Sequence, residues 1–83
     1  KLSADQGALV DVMLAIVRLS GEHNNLNPTV LATRKQLERL VLGDTDVAVL
    51  QGWRNRLVGE QLLTFIQGDM TLSVQDGRLQ LVE

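Results

Sequence analysis

Residues 3–21 read SADQGALVDVMLAIVRLSG, and the spacing of their apolar side chains sets the fold class. Leu9, Val12, Met13, Ile16 and Val17 stand at i, i+3, i+4, i+7 and i+8, one stripe along an amphipathic helix. Ser3 with Gln6 fits a capping box, in which hydroxyl and amide satisfy free backbone N–H groups at the helix start. Gly21 is expected to stop the helix, because glycine accepts positive φ without a steric penalty. The helix is thus expected from Ala4 to Ser20, with Val10, Leu14 and Leu19 adding apolar surface outside the stripe.

Working outward, Glu22 to Leu26 reads as a loop. Asn27-Pro28 then starts a short helical turn through Ala32, with proline where its missing N–H does no harm. Thr33 with Gln36 offers a second capping box, Leu37, Leu40 and Val41 form the next inner face, and Gly43 closes that helix. Asp44, Thr45 and Asp46 are good N-cap types ahead of a short apolar turn, Val47 to Leu50. Gly52 is expected to separate that turn from a helix over Trp53 to Gln67, with Leu57, Val58, Leu62, Phe65 and Ile66 inward and Gly68 just past its end. Polar and apolar residues then alternate over Thr71–Gln75 and over Arg78–Val82, on either side of Asp76-Gly77, a strong signal for a tight hairpin. One hairpin face would carry Leu72, Val74, Leu79 and Leu81 and must pack on something, since an isolated hairpin is marginal in water. The expected fold is mainly α: a compact bundle of five short helices followed by a C-terminal β-hairpin, with no internal repeat.

The 83 residues allow one small domain, with the helical core over residues 3–68 and the hairpin over residues 70–82. Apolar residues make up 45% and charged residues 22%, and the net charge is only −2, so a disordered chain is not expected. Cysteine is absent, which excludes a disulfide scaffold, a thiolate metal site and a cysteine nucleophile and is compatible with a reducing compartment. The longest apolar run, Val12 to Val17, falls far short of the ~20 residues that span a bilayer. No basic segment followed by a cleavage site flanks it. A chain that opens on Lys1 is expected to be a piece of a longer polypeptide, or one whose first residues were removed.

No residue pattern supports catalysis. His23 is the only histidine and has no serine or carboxylate at a catalytic spacing, so it reads as a solvated residue near a helix C-terminus, where a cation is favoured. Asp44 and Asp46 are followed by Val47, Ala48, Val49 and Leu50 rather than by the further oxygen ligands of a calcium loop. The glycine-containing stretches around Gly43 and Gly52 match neither a Walker loop nor a dinucleotide fingerprint, and no carboxylate cluster suits a two-metal nuclease. No metal or other cofactor is therefore expected in this chain.

Binding has more to recommend it. Residues 33–56 hold Arg34, Lys35, Arg39, Arg54 and Arg56 against Glu38, Asp44 and Asp46, a net +2 in an otherwise acidic chain. Lys35 and Arg39 form an i, i+4 like-charge pair, and Arg54 with Arg56 sits where a helix macrodipole disfavours cations. Phosphate binding would compensate for both placements, making these five residues candidate nucleic-acid contacts. Ordinary ion pairing competes with that reading, for Arg54 or Arg56 with Asp44, Asp46 or Glu60. Trp53 is expected to be a core anchor, partly buried, with its indole N–H on a carbonyl, and Leu37, Leu62 and Phe65 are the other expected structural residues; the sharper alternative for Trp53 is a base-stacking platform next to Arg54.

The stretches Leu31-Ala-Thr-Arg-Lys-Gln-Leu-Glu-Arg-Leu-Val-Leu-Gly43 and Leu50-Gln-Gly-Trp-Arg-Asn-Arg-Leu-Val-Gly-Glu-Gln-Leu-Leu-Thr-Phe-Ile-Gln-Gly68 resemble the C-terminal region of bacterial ribonuclease D, a helical HRDC-type domain (helicase and RNase D C-terminal). The resemblance covers Ala8 to Gly68. Gly52-Trp53-Arg54, followed by Leu57, Gly59-Glu60 and Leu62-Leu63, is its most specific element, and Leu31 to Arg34 with Leu37 is a second anchor. It implies a cytoplasmic parent, a 3′-to-5′ exoribonuclease acting on tRNA precursors and other small structured RNAs. It also implies divalent metals held in a catalytic domain outside this chain. The present domain would then bind RNA weakly and pack against its neighbours, away from any membrane. Two alternatives are a purely structural packing module, suggested by Val10 and Leu14, and a winged-helix DNA-binding domain, suggested by helices followed by a hairpin.

Overall fold

The computed structural model describes all residues from Lys1 to Glu83. Helix α1 (Ala4–Asn24) is followed by α2 (Pro28–Leu31) and α3 (Arg34–Val41), then by a 3-10 turn (Ala48–Leu50). Next, α4 (Gly52–Arg54), a π-helical turn (Asn55–Gly59) and α5 (Glu60–Ile66) run on as one continuous helical stretch. Strands β1 (Thr71–Gln75) and β2 (Arg78–Val82) form an antiparallel hairpin. The mainly helical architecture with a terminal hairpin is as the sequence pattern predicts.

The first capping box forms: the Gln6 N–H donates to Ser3 Oγ at 3.1 Å, and the Ser3 N–H donates to Gln6 Oε1 at 2.9 Å. The second forms only in part. The Gln36 N–H donates to Thr33 Oγ1, but Gln36 Oε1 is buried without a partner. Asn27 caps α2 by accepting the Thr29 N–H, with Pro28 in the first turn.

Gly21 does not stop α1. The helix continues to Asn24 and ends on Asn25 in the left-handed conformation. Gly21 is buried instead, where a Cβ would lie 2.8 Å from the Leu26 carbonyl oxygen and 3.2 Å from the Pro28 ring. Its role is close approach, letting the chain fold back against the helix. Accordingly Glu22, His23 and Asn24 are helical, not loop.

The buried face of α1 is also turned from the expected one. Val10, Met13, Ile16 and Val17 enter the core, and Ser20 and Gly21 continue that face. Leu9 and Val12 are half-exposed and line a shallow depression with Asp5 and Ala8. The physical reason lies in the last turn: the face bearing Gly21 is the one that admits the returning chain. Leu31, Ala32, Leu37, Leu40, Val47, Val49, Val58 and Leu62 complete a core of twelve apolar residues.

Asp44 and Asp46 do not cap the 3-10 turn, whose preceding residue Val47 offers no side-chain acceptor. Asp44 Oδ1 accepts the Asp46 N–H at 2.9 Å instead, an Asx-type turn. Gly52, at φ +57°, redirects the chain into the last helix, and Gly68, at φ +86°, follows its end. The π turn was not expected. It places Gly59 against the Val49 carbonyl, a closeness that no side chain would permit.

In the hairpin, Leu72 pairs with Leu81 and Val74 with Leu79. Leu72 and Leu81 pack against the helical core. Val74 projects past it, 73% exposed. The expected apolar face therefore exists, but only its base is covered.

Candidate nucleic-acid interface

The five basic candidates separate into two groups. Arg34, in the first turn of α3, donates from Nη1 to Asp11 Oδ1 on α1 at 2.9 Å and from Nε to Glu38 Oε2 at 3.2 Å. These bonds, that to Asp11 foremost, hold its pKa above the ordinary guanidinium value. Arg39, at the end of α3, donates from Nη2 to Asp44 Oδ2 at 2.7 Å and to the Asp46 carbonyl at 3.1 Å. The Asp46 N–H first, and Arg39 second, hold the Asp44 carboxyl below the usual carboxylate range. Both arginines thus serve local structure, and Arg39 is neutralised by Asp44.

Lys35, Arg54 and Arg56 make no ion pair. Arg54 has no carboxylate partner; its Nε–H donates to the Val30 carbonyl at 2.8 Å. That bond ties the start of the last helix to α2. The Arg54 guanidinium also lies over the Trp53 ring, 4.3 Å from its centroid. Arg54 and Arg56 stand two residues apart on one helix, a spacing that points them to different sides. The structure therefore does not merge the two arginines into one cluster.

Trp53 is not the expected core anchor. It is 40% exposed and lies outside the apolar core. Its indole N–H makes no hydrogen bond to a carbonyl. Leu37 and Leu62 are fully buried and Phe65 is half-buried against them, so aliphatic side chains close the core without the indole. The cation over the ring takes the place that core contacts would have filled. Val30, whose carbonyl holds Arg54, is itself 43% exposed. Local sequence carries no signal for that backbone acceptor, because the contact joins residues 24 positions apart.

A second concavity, of about 500 Å³, opens between the end of α1, the last helix and the hairpin. His23, Asn24, Gln61, Arg78 and Gln80 give it polar edges, and no carboxylate lines it. His23 therefore has no acid there to orient it as a base. Beneath it, Ser20 Oγ–H donates to the Leu57 carbonyl at 3.0 Å, fastening α1 to the π turn. No group of three or more potential metal ligands occurs in the chain, and no helix is long and apolar enough to cross a membrane.

Comparison with known proteins bears out the resemblance to ribonuclease D. The chain is 35% identical over 77 residues to the ribonuclease D of Nitrobacter hamburgensis, an overlap of 92% of this chain and 20% of that protein. It is 30% identical over 76 residues to the ribonuclease D of Granulibacter bethesdensis, and equally so to that of Gluconacetobacter diazotrophicus, covering 90% of this chain and 19% of each relative. The chain thus spans about a fifth of the length of these curated relatives. No family model and no solved structure matches it.

Proposed function

We propose that this chain is an HRDC-type accessory domain of a ribonuclease D-like 3′-to-5′ exoribonuclease. It binds RNA weakly and positions tRNA precursors for a catalytic domain elsewhere in a cytoplasmic polypeptide. The observation that carries this reading is similarity to ribonuclease D over nine-tenths of the chain but only a fifth of the relative. The divalent metals of such a nuclease would activate water for phosphodiester hydrolysis. This chain offers them no fitting donor set: the Asp44 carboxylate is occupied by Arg39 and the Asp46 N–H, and no group of three or more potential ligands occurs. Metal chemistry is therefore assigned to the catalytic segment. Lys35, Arg54 and Arg56, the cations of residues 33–56 without a carboxylate partner, are the proposed phosphate contacts.

A nuclease carrying this domain tests the reading. Arg54→Ala with Arg56→Ala is expected to weaken binding of a tRNA precursor and to flatten its salt dependence, while kcat is kept. Unchanged affinity and unchanged salt dependence would remove these arginines from the interface.

A second reading is interdomain packing without RNA contact. Its first motive weakens, because Val10 is fully buried and Leu14 packs on the core. The depression of Ala8, Leu9 and Val12 on α1 supplies another apolar face. Substituting those residues separates the two readings, since only packing would suffer. A winged-helix reading gains nothing, as the hairpin offers a single cation, Arg78, next to its turn.

A further inference from the structure

We infer that Trp53 and Arg54 form a stacking platform for an unpaired RNA base, with the adjoining phosphate held by the terminal amino groups of Arg54. The inference rests on the RNA-binding reading and names the class of RNA that this surface takes: single-stranded, not duplex.

An indole left 40% exposed gives up burial that a core position would provide. The core closes without it, so its place at the surface is not needed to complete the fold. The ring is also held in place. The Arg54 guanidinium lies 4.3 Å from its centroid, and that guanidinium is pinned by the bond from Nε to the Val30 carbonyl. A fixed aromatic side chain loses little conformational freedom when a base stacks on it. Only Nε of Arg54 is engaged, so Nη1 and Nη2 remain without a partner. Two parallel N–H donors match the oxygens of a phosphate. Val30, 43% exposed, adds apolar surface beside the pair.

Bases in a duplex have both faces covered by their neighbours, whereas an unpaired base has a face to offer. Aromatic and arginine side chains also anchor protein partners. Unpaired guanidinium donors beside the ring, in a relative of ribonucleases, favour nucleic acid.

Trp53 is the only tryptophan, so its fluorescence reports on this site alone. The protein is titrated at low salt with a short unstructured RNA and with a blunt RNA duplex. The single strand is expected to quench Trp53 emission and to bind more tightly than the duplex. Trp53→Ala should weaken single-strand binding about tenfold, and Trp53→Phe by less, because a smaller ring still stacks. Arg54→Lys keeps the charge but loses the planar fork, and should fall between native and Trp53→Ala. Arg18→Ala, which removes a charge from α1, should leave affinity within roughly twofold. Binding with unchanged Trp53 emission, or equal affinity of native protein and both Trp53 variants, would overturn the platform and leave RNA binding to the other cations. Loss of affinity in Trp53→Ala for the catalytic segment but not for RNA would make the surface a protein contact, and would overturn it too. Failure of both RNAs to bind would overturn the RNA-binding reading itself.

Discussion

Gly59 shows how a single missing side chain is dictated by its surroundings. A Cβ there would overlap the Val49 carbonyl and crowd Asn55 Oδ1, so the 3-10 turn and the π turn touch only because residue 59 is glycine. Gly59→Ala is expected to cost about 1–3 kcal/mol, read from urea unfolding. Gly7 gives the opposite result. It lies within α1 with nothing within 4 Å of where a Cβ would stand, so Gly7→Ala should stabilise by about 0.5–1 kcal/mol through helix propensity alone. Asp44 supplies a pH test. Its carboxyl is held below its usual range by the Asp46 N–H and by Arg39. A carboxyl with a depressed folded pKa stabilises above its unfolded value and loses that contribution as pH falls through the folded one. Unfolding measured from neutral pH down into the acid range should therefore show a shallower acid decline for Asp44→Asn than for native protein. The glycines and aspartates were plain in the sequence, but it assigned Gly21 and Asp44 to helix ends. Both instead serve contacts with chain that follows them, which helix-end rules do not describe.

At the level of elements, the hairpin was the most legible part. Asp76 and Gly77 adopt φ of 53° and 74°, as the primed turn of a two-residue hairpin requires, and the register follows from that turn. What alternation does not say is how far the apolar face is covered. Leu72 and Leu81 reach the core while Val74 overhangs it. Leu81→Ala is therefore expected to cost about 1–2 kcal/mol, less than a fully buried leucine, and Val74→Ala to stay within about 0.5 kcal/mol, both by thermal or urea unfolding. The last helix was legible as apolar periodicity over residues 57–66, but its π turn was not. A helix reading from sequence assumes a constant period, whereas this turn is set by Gly59 meeting the neighbouring 3-10 turn.

Across the whole molecule, the basic segment shrinks once its partners are in place. Arg34 and Arg39 are spent on Asp11, Glu38 and Asp44, leaving Lys35, Arg54 and Arg56 in a chain of net charge −2. With about three phosphate contacts, the logarithm of single-strand affinity should fall with the logarithm of salt at a slope near −2, shallow for a nucleic-acid binder. The order of helices and the hairpin were determined by the sequence alone, because caps, turn residues and apolar spacing act over a few positions. Only the tertiary structure decided which face of α1 is buried, which arginines stay unpaired and that Trp53 stands at the surface. Those outcomes depend on contacts such as Arg34 to Asp11 and Arg54 to Val30, which join residues 23 and 24 positions apart, beyond the reach of any local rule.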